Sequence, residues 1–312
     1  MKHRLTSILM LLAAAMLLHS CYYARGVVAP KVTDKVVARS VASIERHQGR
    51  ATLKPWVDSV PAWQPGKRIY VTDDQARLMM ATSADYDTDT LHLGGKVLTY
   101  AGYTTGSVLD NNADLNLRFN YGGTTLVLPT HKTASQFGSD YTLPFMIDLD
   151  MVHSFAQQLE GKEIFVKTSI WYDCRTQEMI DGRKYIKVRV DSVLPGNKVL
   201  PLRVVFTALD GTGQRAMQLM SNGIGTQHSR DFDALFSVKD PHEAYPQISD
   251  DVWRMITLGK VTIGMTKEEC RLAKGSPKST LQDPDSGGLH EWWLYDGGGN
   301  LYFVDGVLEK IR

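Results

Sequence analysis

The sequence lacks an excess of charge of either sign. It contains 35 lysine and arginine residues and 34 aspartate and glutamate residues, which gives a formal net charge of +1. A protein that binds mainly nucleic acid normally carries a marked basic excess, because its surface has to neutralise phosphates. The charge balance therefore argues against nucleic acid as a partner, and binding has to come from local surface features.

Long apolar runs are also scarce. One such run extends from Leu5 to Leu18, directly behind the basic residues Lys2 and Arg4. It is short for a bilayer-spanning helix, which needs about 20 residues. A basic start followed by a short apolar run is typical of a cleaved export signal. We therefore predict that residues 1–20 are a signal peptide.

The end of this run carries a lipid-attachment motif. Leu18, Ser20 and Cys21 resemble the lipobox that lipoprotein signal peptidase recognises, with a mild departure at His19. The resemblance implies that Cys21 carries the acyl chains (palmitate) that anchor the mature protein in lipid. Tyr22 stands where enteric lipoproteins retained in the inner membrane have Asp, so the outer membrane is favoured. The alternative is an ordinary signal peptide with a chance cysteine.

Cysteine is rare as well. Beyond Cys21 the sequence has only Cys174 and Cys270. In an oxidising envelope compartment these two can pair as a disulfide. Both also lie in apolar patterns, where a free cysteine behaves as a small hydrophobic residue, so both interpretations stay open.

A recognisable catalytic set is missing. The pair Asp173-Cys174 faintly resembles the nucleophile of envelope peptidoglycan peptidases, but residues 175–177 do not match that family, and no histidine follows in a comparable strand. Asp148, Asp150 and His153 have the residue types of a metal site, yet they fit the charge pattern of a helix start better. We predict a protein that is not an enzyme and holds no metal or cofactor.

What the sequence does contain is a long β-rich middle region. Segments of β-forming residues between glycine-bearing turns predict strands, in two series separated by a helix at 150–159. The predicted strands are Arg68–Val71, Lys96–Tyr103, Leu115–Tyr121, Thr125–Leu128, Glu163–Trp171, Tyr185–Val193, Leu202–Phe206 and Ala216–Leu219.

The two series look like repeats. Residues 66–71 (GKRIYV) resemble residues 161–166 (GKEIFV), and residues 117–119 resemble residues 202–204. The matches are short. The sequence predicts either two tandem SH3-like small barrels or one larger sandwich.

The last 64 residues predict two short helices followed by three strands. Ser249 is placed to cap the first helix, and Thr266 with Glu269 forms a capping box for the second. The acidic residues Asp283 and Asp285 are predicted to lie in a loop. The predicted strands are Trp292–Tyr295, Leu301–Val304 and Val307–Ile311, the last two joined by an Asp-Gly turn.

These residues resemble a known family. The order of Gly264-Met265-Thr266, Glu269, Gly275, Pro277 and the aromatic strand is similar to the SmpA/OmlA (BamE-like) lipoprotein domain, over residues 249–312. The resemblance implies a two-helix, three-stranded α+β binding module without catalysis, in a family whose known members support assembly of outer-membrane β-barrels. It also implies that Cys270 lies in the core. In this chain the domain stands far from the lipid anchor, which leaves the assembly role open.

Aromatic residues of this domain are the candidate binding residues. Trp292 and Trp293 are adjacent on a predicted strand, so they have to point to opposite faces. One is expected to pack on the helices and the other to face outward with Tyr295. Tyr302 completes the candidate set, because outward aromatic residues are typical of interfaces.

The sequence thus predicts a mainly β protein with an α+β C-terminal domain. The expected function is that of a cell-envelope lipoprotein that binds or helps to assemble other envelope proteins, with peptidoglycan as a further partner. The alternatives are a lipoprotein that binds a cell-wall or lipid ligand through SH3-like domains, and an envelope hydrolase whose site is not recognised. The predicted segments are the signal peptide (1–20), a lipidated tether (21–65), two β-rich domains (66–145 and 146–230), a linker (231–248) and the SmpA/OmlA-like domain (249–312).

Overall fold

A computed structural model describes most of the chain after residue 52. The described ranges are 53–54, 56–82, 91–106, 113–138, 141–223, 230–285 and 288–312. The predicted signal peptide, Cys21 and most of the predicted tether lie outside these ranges. Within them, no helix is both long and apolar enough to cross a bilayer.

The protein is mainly β, as the sequence predicts, and its sheets are curled and antiparallel. The first sheet follows a short 3₁₀ turn at Val60–Ala62 and has the strand order β2-β5-β4-β3-β1-β6. Its strands are β1 (Arg68–Val71), β2 (Ala81–Thr82), β3 (Val97–Thr105), β4 (Asp114–Tyr121), β5 (Thr124–Thr133) and β6 (Met146–Asp148).

The second sheet begins after helix α1 (Leu149–Leu159) and has the strand order β13-β7-β10-β11-β12-β8-β9. Helix α2 (Phe232–Leu235) directly precedes its last strand. The strands are β7 (Glu163–Val166), β8 (Ile170–Tyr172), β9 (Met179–Asp181), β10 (Ile186–Pro195), β11 (Leu202–Ala208), β12 (Arg215–Met220) and β13 (Phe236–Ser237). The single strand predicted over residues 163–171 is therefore two strands, β7 and β8.

The two sheets share one strand arrangement. The order β6-β1-β3-β4-β5-β2 in the first sheet corresponds to β13-β7-β10-β11-β12-β8 in the second. The pairing of β3 with β4 shifts between Tyr100 and Gly102, and the pairing of β10 with β11 shifts between Val190 and Ser192. A bulge at the same place in both sheets supports the predicted repeat, because bulges set where a strand bends.

Equivalent hydrogen bonds fix the alignment of the two sheets. The Gly66 amide donates to the Tyr100 carbonyl at 2.8 Å, and the Gly161 amide donates to the Val190 carbonyl at 2.9 Å. Tyr100 pairs with Phe119 and Val190 pairs with Phe206. Residues 117–119 therefore correspond to residues 204–206, and not to residues 202–204 as predicted. The prediction was shifted by two positions, and a shift of two leaves the alternation of inward and outward side chains in a strand unchanged.

The first residues of the predicted linker (231–248) belong to the hydrophobic core of the second sheet. Phe232, Leu235 and Phe236 are buried there beside Trp171 and Phe206, and β13 pairs with β7. Pro241 and Pro246 stand only after these elements. The first sheet has its own buried cluster, which includes Leu98, Leu117 and Phe119.

The C-terminal part forms helix α3 (Asp250–Thr257), helix α4 (Lys267–Lys274) and a sheet in the order β14-β15-β16-β17. The strands are β14 (Ser279–Asp285), β15 (Gly288–Leu294), β16 (Leu301–Val304) and β17 (Val307–Ile311). Both predicted caps are confirmed: Ser249 accepts from the Val252 amide, and Thr266 and Glu269 bond reciprocally.

The C-terminal sheet has four strands where three were predicted. The segment predicted as an acidic loop is β14, which pairs with β15 along its whole length. This segment lacks the alternating apolar residues that predict a strand, because it contains two aspartates and Pro284. Such residues are tolerated here because β14 is an edge strand, and an edge strand needs hydrogen bonds on one side only.

The C-terminal helices contact the second sheet. The Lys184 ammonium donates to the carbonyl oxygens of Leu272 and Ala273, at the end of α4. The neighbouring Tyr185 ring lies edge-on to Trp253 of α3, with 5.9 Å between the ring centroids. The turn between β9 and β10 therefore joins the second sheet to both helices.

Candidate functional site

The two adjacent tryptophans of β15 point to opposite faces, as predicted. Trp293 is fully buried under the helices, and its ring centroid lies 4.7 Å from that of Phe303. Trp292 is only partly buried and points away from the helices. Trp293 is therefore a core residue, and the prediction that it belongs to a binding surface has to be corrected.

Trp292 belongs to a row of side chains that crosses all four strands of the sheet. Strand pairing brings Leu281, Trp292, Tyr302 and Lys310 side by side on the face opposite α3 and α4. These four residues, with Arg312 beside them, are named the outer face. Leu281 is 57% exposed, and the rings of Trp292 and Tyr302 lie 4.6 Å apart.

Two cations cover the aromatic rings of the outer face. The Arg312 guanidinium lies 5.2 Å from the Trp292 ring centroid, and the Lys310 ammonium lies 5.3 Å from that of Tyr302. Neither cation forms an ion pair with a residue in the described part of the chain. An aromatic surface with unpaired cations suits a partner that brings carboxylates and apolar side chains.

Tyr295 does not share this face, contrary to the prediction. Its hydroxyl donates to the Gly275 carbonyl at 2.9 Å, and the Lys274 ammonium lies 4.7 Å from its ring. Burial raises the pKa of Tyr295 to about 12. Residues two apart along an extended chain point to the same side. Tyr295 therefore lies on the same side as the buried Trp293 and packs against the end of that core.

Sequence reasoning missed a buried acid behind the outer face. Glu291 is 5% exposed, and its carboxylate accepts hydrogen bonds from the Lys267 ammonium, the Trp293 indole and the Gln282 amide. Burial acts to raise the pKa of Glu291, but these hydrogen bonds outweigh it and lower the pKa. Glu291 lies two residues before Trp293 on the same strand, so both side chains point to the same face. This alternation is the sequence pattern that could have predicted the burial of Glu291.

The weak catalytic and metal candidates have structural roles. The Asp173 carboxylate accepts from the amides of Thr176 and Arg175, which lowers its pKa and closes a turn. Cys174 and Cys270 are both free thiols, and burial raises the pKa of both. A thiol with a raised pKa is a poor nucleophile at neutral pH.

The cluster Asp148, Asp150 and His153 marks a helix start, as interpreted from the sequence. Asp148 caps α1 by accepting from the Asp150 amide at 2.9 Å. His153 bonds to Gln157 on the same helix, 3.0 Å away. Among the residues that the structure describes, no group of three or more acidic, histidine or cysteine side chains could hold a metal ion.

The segment predicted as a tether contains a second feature that the sequence did not reveal. The Lys67 ammonium lies 2.8 Å from Asp58, 2.8 Å from Asp148 and 3.1 Å from Asp150. It also lies 5.4 Å and 5.3 Å from the ring centroids of Trp56 and Trp63. These five residues around Lys67 are named the Lys67 cage.

The Lys67 cage holds a buried charge. The Lys67 side chain is only 7% exposed. Burial alone would lower its pKa, but the hydrogen bonds with Asp148 and Asp58 raise it above its ordinary value. The ammonium therefore stays charged, and it fixes the tether segment to β6 and to the start of α1.

Comparisons with protein-family models, with curated proteins and with solved structures find no match to this chain. The interpretation of its surfaces therefore depends on their own geometry and chemistry.

Proposed function

We propose that this chain is a lipid-anchored protein of the cell envelope, a non-catalytic binding protein that contacts other envelope proteins through its outer face. The lipobox-like residues before Cys21 support the anchor. The resemblance of residues 249–312 to the SmpA/OmlA domain supports the outer membrane as the location. Assembly of other envelope proteins is the role that this resemblance implies.

One observation carries the binding role. The row from Leu281 to Lys310 presents partly exposed aromatic rings beneath cations that have no carboxylate partner in the described ranges. Aromatic and arginine side chains contribute most of the free energy at many protein interfaces. The partner is expected to bring acidic and apolar side chains to this face.

The finer fold assignments belong to this proposal. The two-helix start, the capping box at Thr266 and the aromatic strand support an SmpA/OmlA-like domain, although the additional strand β14 extends it. The shared order β6-β1-β3-β4-β5, with a 3₁₀ turn at Ala134–Gln136 before β6, supports an SH3-like barrel. The second sheet repeats this order.

A site-specific crosslinking experiment tests the binding role. A photoreactive amino acid replaces Leu281 on the outer face in the tagged full chain, in intact cells. The matched control places it at Leu78, which is 72% exposed and lies in a 3₁₀ helix (Asp74–Met79) between β1 and β2 of the first sheet. Adducts with envelope proteins are expected from position 281 and not from position 78.

A second substitution identifies the contact. Lys310→Glu is expected to abolish the adducts from position 281, because the new carboxylate repels the carboxylates of an acidic partner. Recovery of barrel-assembly components would support the assembly role. Equal adducts from both positions, or adducts that survive Lys310→Glu, would contradict binding through the outer face.

A further inference from the structure

A cleft of about 420 Å³ lies between the first and second sheets. It is lined by the segment before β1, by residues 141–151, by the turn between β10 and β11 and by residues 221–222. Protein cavities that hold small ligands measure about 300–1,000 Å³. We propose that this cleft binds a neutral saccharide of one or two sugar rings, a function independent of the outer face.

The walls of the cleft have the two kinds of group that a sugar ring requires. Trp56 and Trp63 supply indole rings, and Asp58 and Asp148 supply carboxylates. A sugar ring has a face of C–H groups and an edge of hydroxyl groups. Indole faces suit the C–H groups, and carboxylates accept from the hydroxyl groups.

Two of these side chains retain hydrogen-bonding capacity. The Trp63 indole N–H is buried and has no acceptor in the part of the chain that the structure describes. A buried donor without an acceptor is rare in folded proteins, and Trp63 is one of the residues that line the cleft. The Asp58 carboxylate is 26% exposed and accepts from Lys67 and from the Ser59 amide. A carboxylate has about four acceptor positions, so Asp58 can accept from a hydroxyl as well.

The charges around the cleft favour a neutral ligand. The Lys67 ammonium already bridges Asp58 and Asp148, so an incoming cation would have to compete with it. Among the described lining residues, Lys198 is the one lysine or arginine. Phosphates are normally held by several cationic side chains, and the described lining supplies one.

The described part of the second sheet has the same strand arrangement without a counterpart of the Lys67 cage. Lys162 occupies the position in the second sheet that Lys67 occupies in the first, since each follows the equivalent glycine. Lys162 is exposed and forms no ion pair with the described residues. The cage is therefore a specific addition to the first sheet.

The cage also holds the cleft in a fixed shape. Four of its members, Trp56, Asp58, Trp63 and Asp148, line the cleft. The Trp56 indole donates to Asp148 at 3.2 Å, and Lys67 bonds to both carboxylates. Side chains that are fixed before a ligand arrives lose less conformational entropy on binding.

Titration with neutral disaccharides tests the proposal. The set covers gluco, galacto and manno configurations, with and without N-acetyl groups, and binding to the full chain in detergent is followed by tryptophan fluorescence and by calorimetry. At least one member is expected to bind saturably and to raise the unfolding temperature of the unmodified protein.

Two substitutions at one position locate the site. Trp63→Phe removes the N–H and keeps a ring, and it is expected to weaken binding about fivefold to tenfold. Trp63→Leu removes the ring as well and is expected to weaken binding further. Trp292→Phe, on the outer face, serves as the control and is expected to leave affinity unchanged.

The outcomes separate the proposals. If no disaccharide binds saturably at millimolar concentration or raises the unfolding temperature, or if Trp63→Leu binds as well as the unmodified chain, the saccharide site is refuted. Neither result affects binding by the outer face. If insoluble peptidoglycan sediments the chain and the bound disaccharide releases it, the source is a cell-wall glycan. Binding of the disaccharide alone indicates a free sugar.

Discussion

The ammonium group of Lys184 lies 2.6 Å from the carbonyl oxygen of Ala273 and 3.1 Å from that of Leu272. The last carbonyl groups of a helix have no partner within the helix, and they form the negative end of its dipole. Lys184, which lies in a turn of the second sheet, therefore supplies the hydrogen-bond donors for the last carbonyl groups of α4. Burial of this cation lowers its pKa.

Removal of this contact is expected to destabilise the protein. Lys184→Met keeps the length of the side chain but leaves both carbonyl groups without their donor, at a cost of about 1–3 kcal/mol. The free energy of unfolding in urea measures the effect. Lys187→Met, at an exposed position of β10, is the control and should change it by less than about 0.5 kcal/mol. Equal effects would show that the Lys184 contact contributes nothing specific.

Glu291 is expected to make stability depend on acid pH. Its pKa is lowered in the folded chain relative to the unfolded chain. Its contribution is therefore complete above the unfolded pKa and is lost as pH falls through the folded pKa. Glu291→Gln should lower the free energy of unfolding by about 1–3 kcal/mol at pH 7.

The same variant provides the pH test. Thermal unfolding of both proteins is followed from neutral pH down to acid pH. The difference between them should shrink once Glu291 becomes protonated in the unmodified protein. A difference that stays constant down to the acid limit would contradict the role of the charged carboxylate.

Loss of Lys67 is expected to be severe. Lys67→Met leaves Asp58 and Asp148 close together without a compensating charge, and breaking a buried ion pair costs about 3–5 kcal/mol. Because the pKa of Lys67 is raised in the folded chain, this contribution is fully present below the unfolded pKa and declines only at alkaline pH. Urea unfolding at neutral pH measures it.

Lys162→Met is the matched control for the cage. The two lysines occupy equivalent positions directly before β1 and β7, but only Lys67 is enclosed by carboxylates. The control is expected to change the free energy of unfolding by less than about 0.5 kcal/mol. A similar loss in both variants would mean that the strand position, and not the cage, requires lysine.

Cys270 is expected to tolerate apolar replacement only. It is fully buried among Trp253, Met265 and Phe303, and burial raises the pKa of its thiol to about 12. Cys270→Val should fold with a loss below about 1.5 kcal/mol, because it nearly preserves volume. Cys270→Asp should fail to fold at neutral pH, because it buries an unpaired charge. Circular dichroism and yield of soluble protein distinguish them, and equal behaviour would refute burial.

The sequence predicted the local elements well. Strand alternation and glycine turns located most strands of both sheets, and β1, β16 and β17 match their predicted limits. The capping box at Thr266 and Glu269 located the start of α4. These features depend on residues only a few positions apart, which a sequence displays directly.

Features built from distant residues were not predicted. The Lys67 cage joins Asp58 to Asp148, ninety positions apart, and nothing local marks their meeting. Its tryptophans, Trp56 and Trp63, stand in the segment that the sequence predicts as a tether. On the outer face, the alternation in β15 separated Trp292 from Trp293, but only the strand register showed that Leu281 and Lys310 join Trp292.

Strand β14 decides where the C-terminal sheet stops. It has a neighbour on one side only, so its other side is open to pairing with a strand of another molecule. Exposed sheet edges can pair with one another, and sheets that join edge to edge grow into fibres. Pro284 has no N–H to offer and interrupts any such ladder. Strand β14 can therefore add a fourth strand to the sheet without creating an edge on which further molecules assemble.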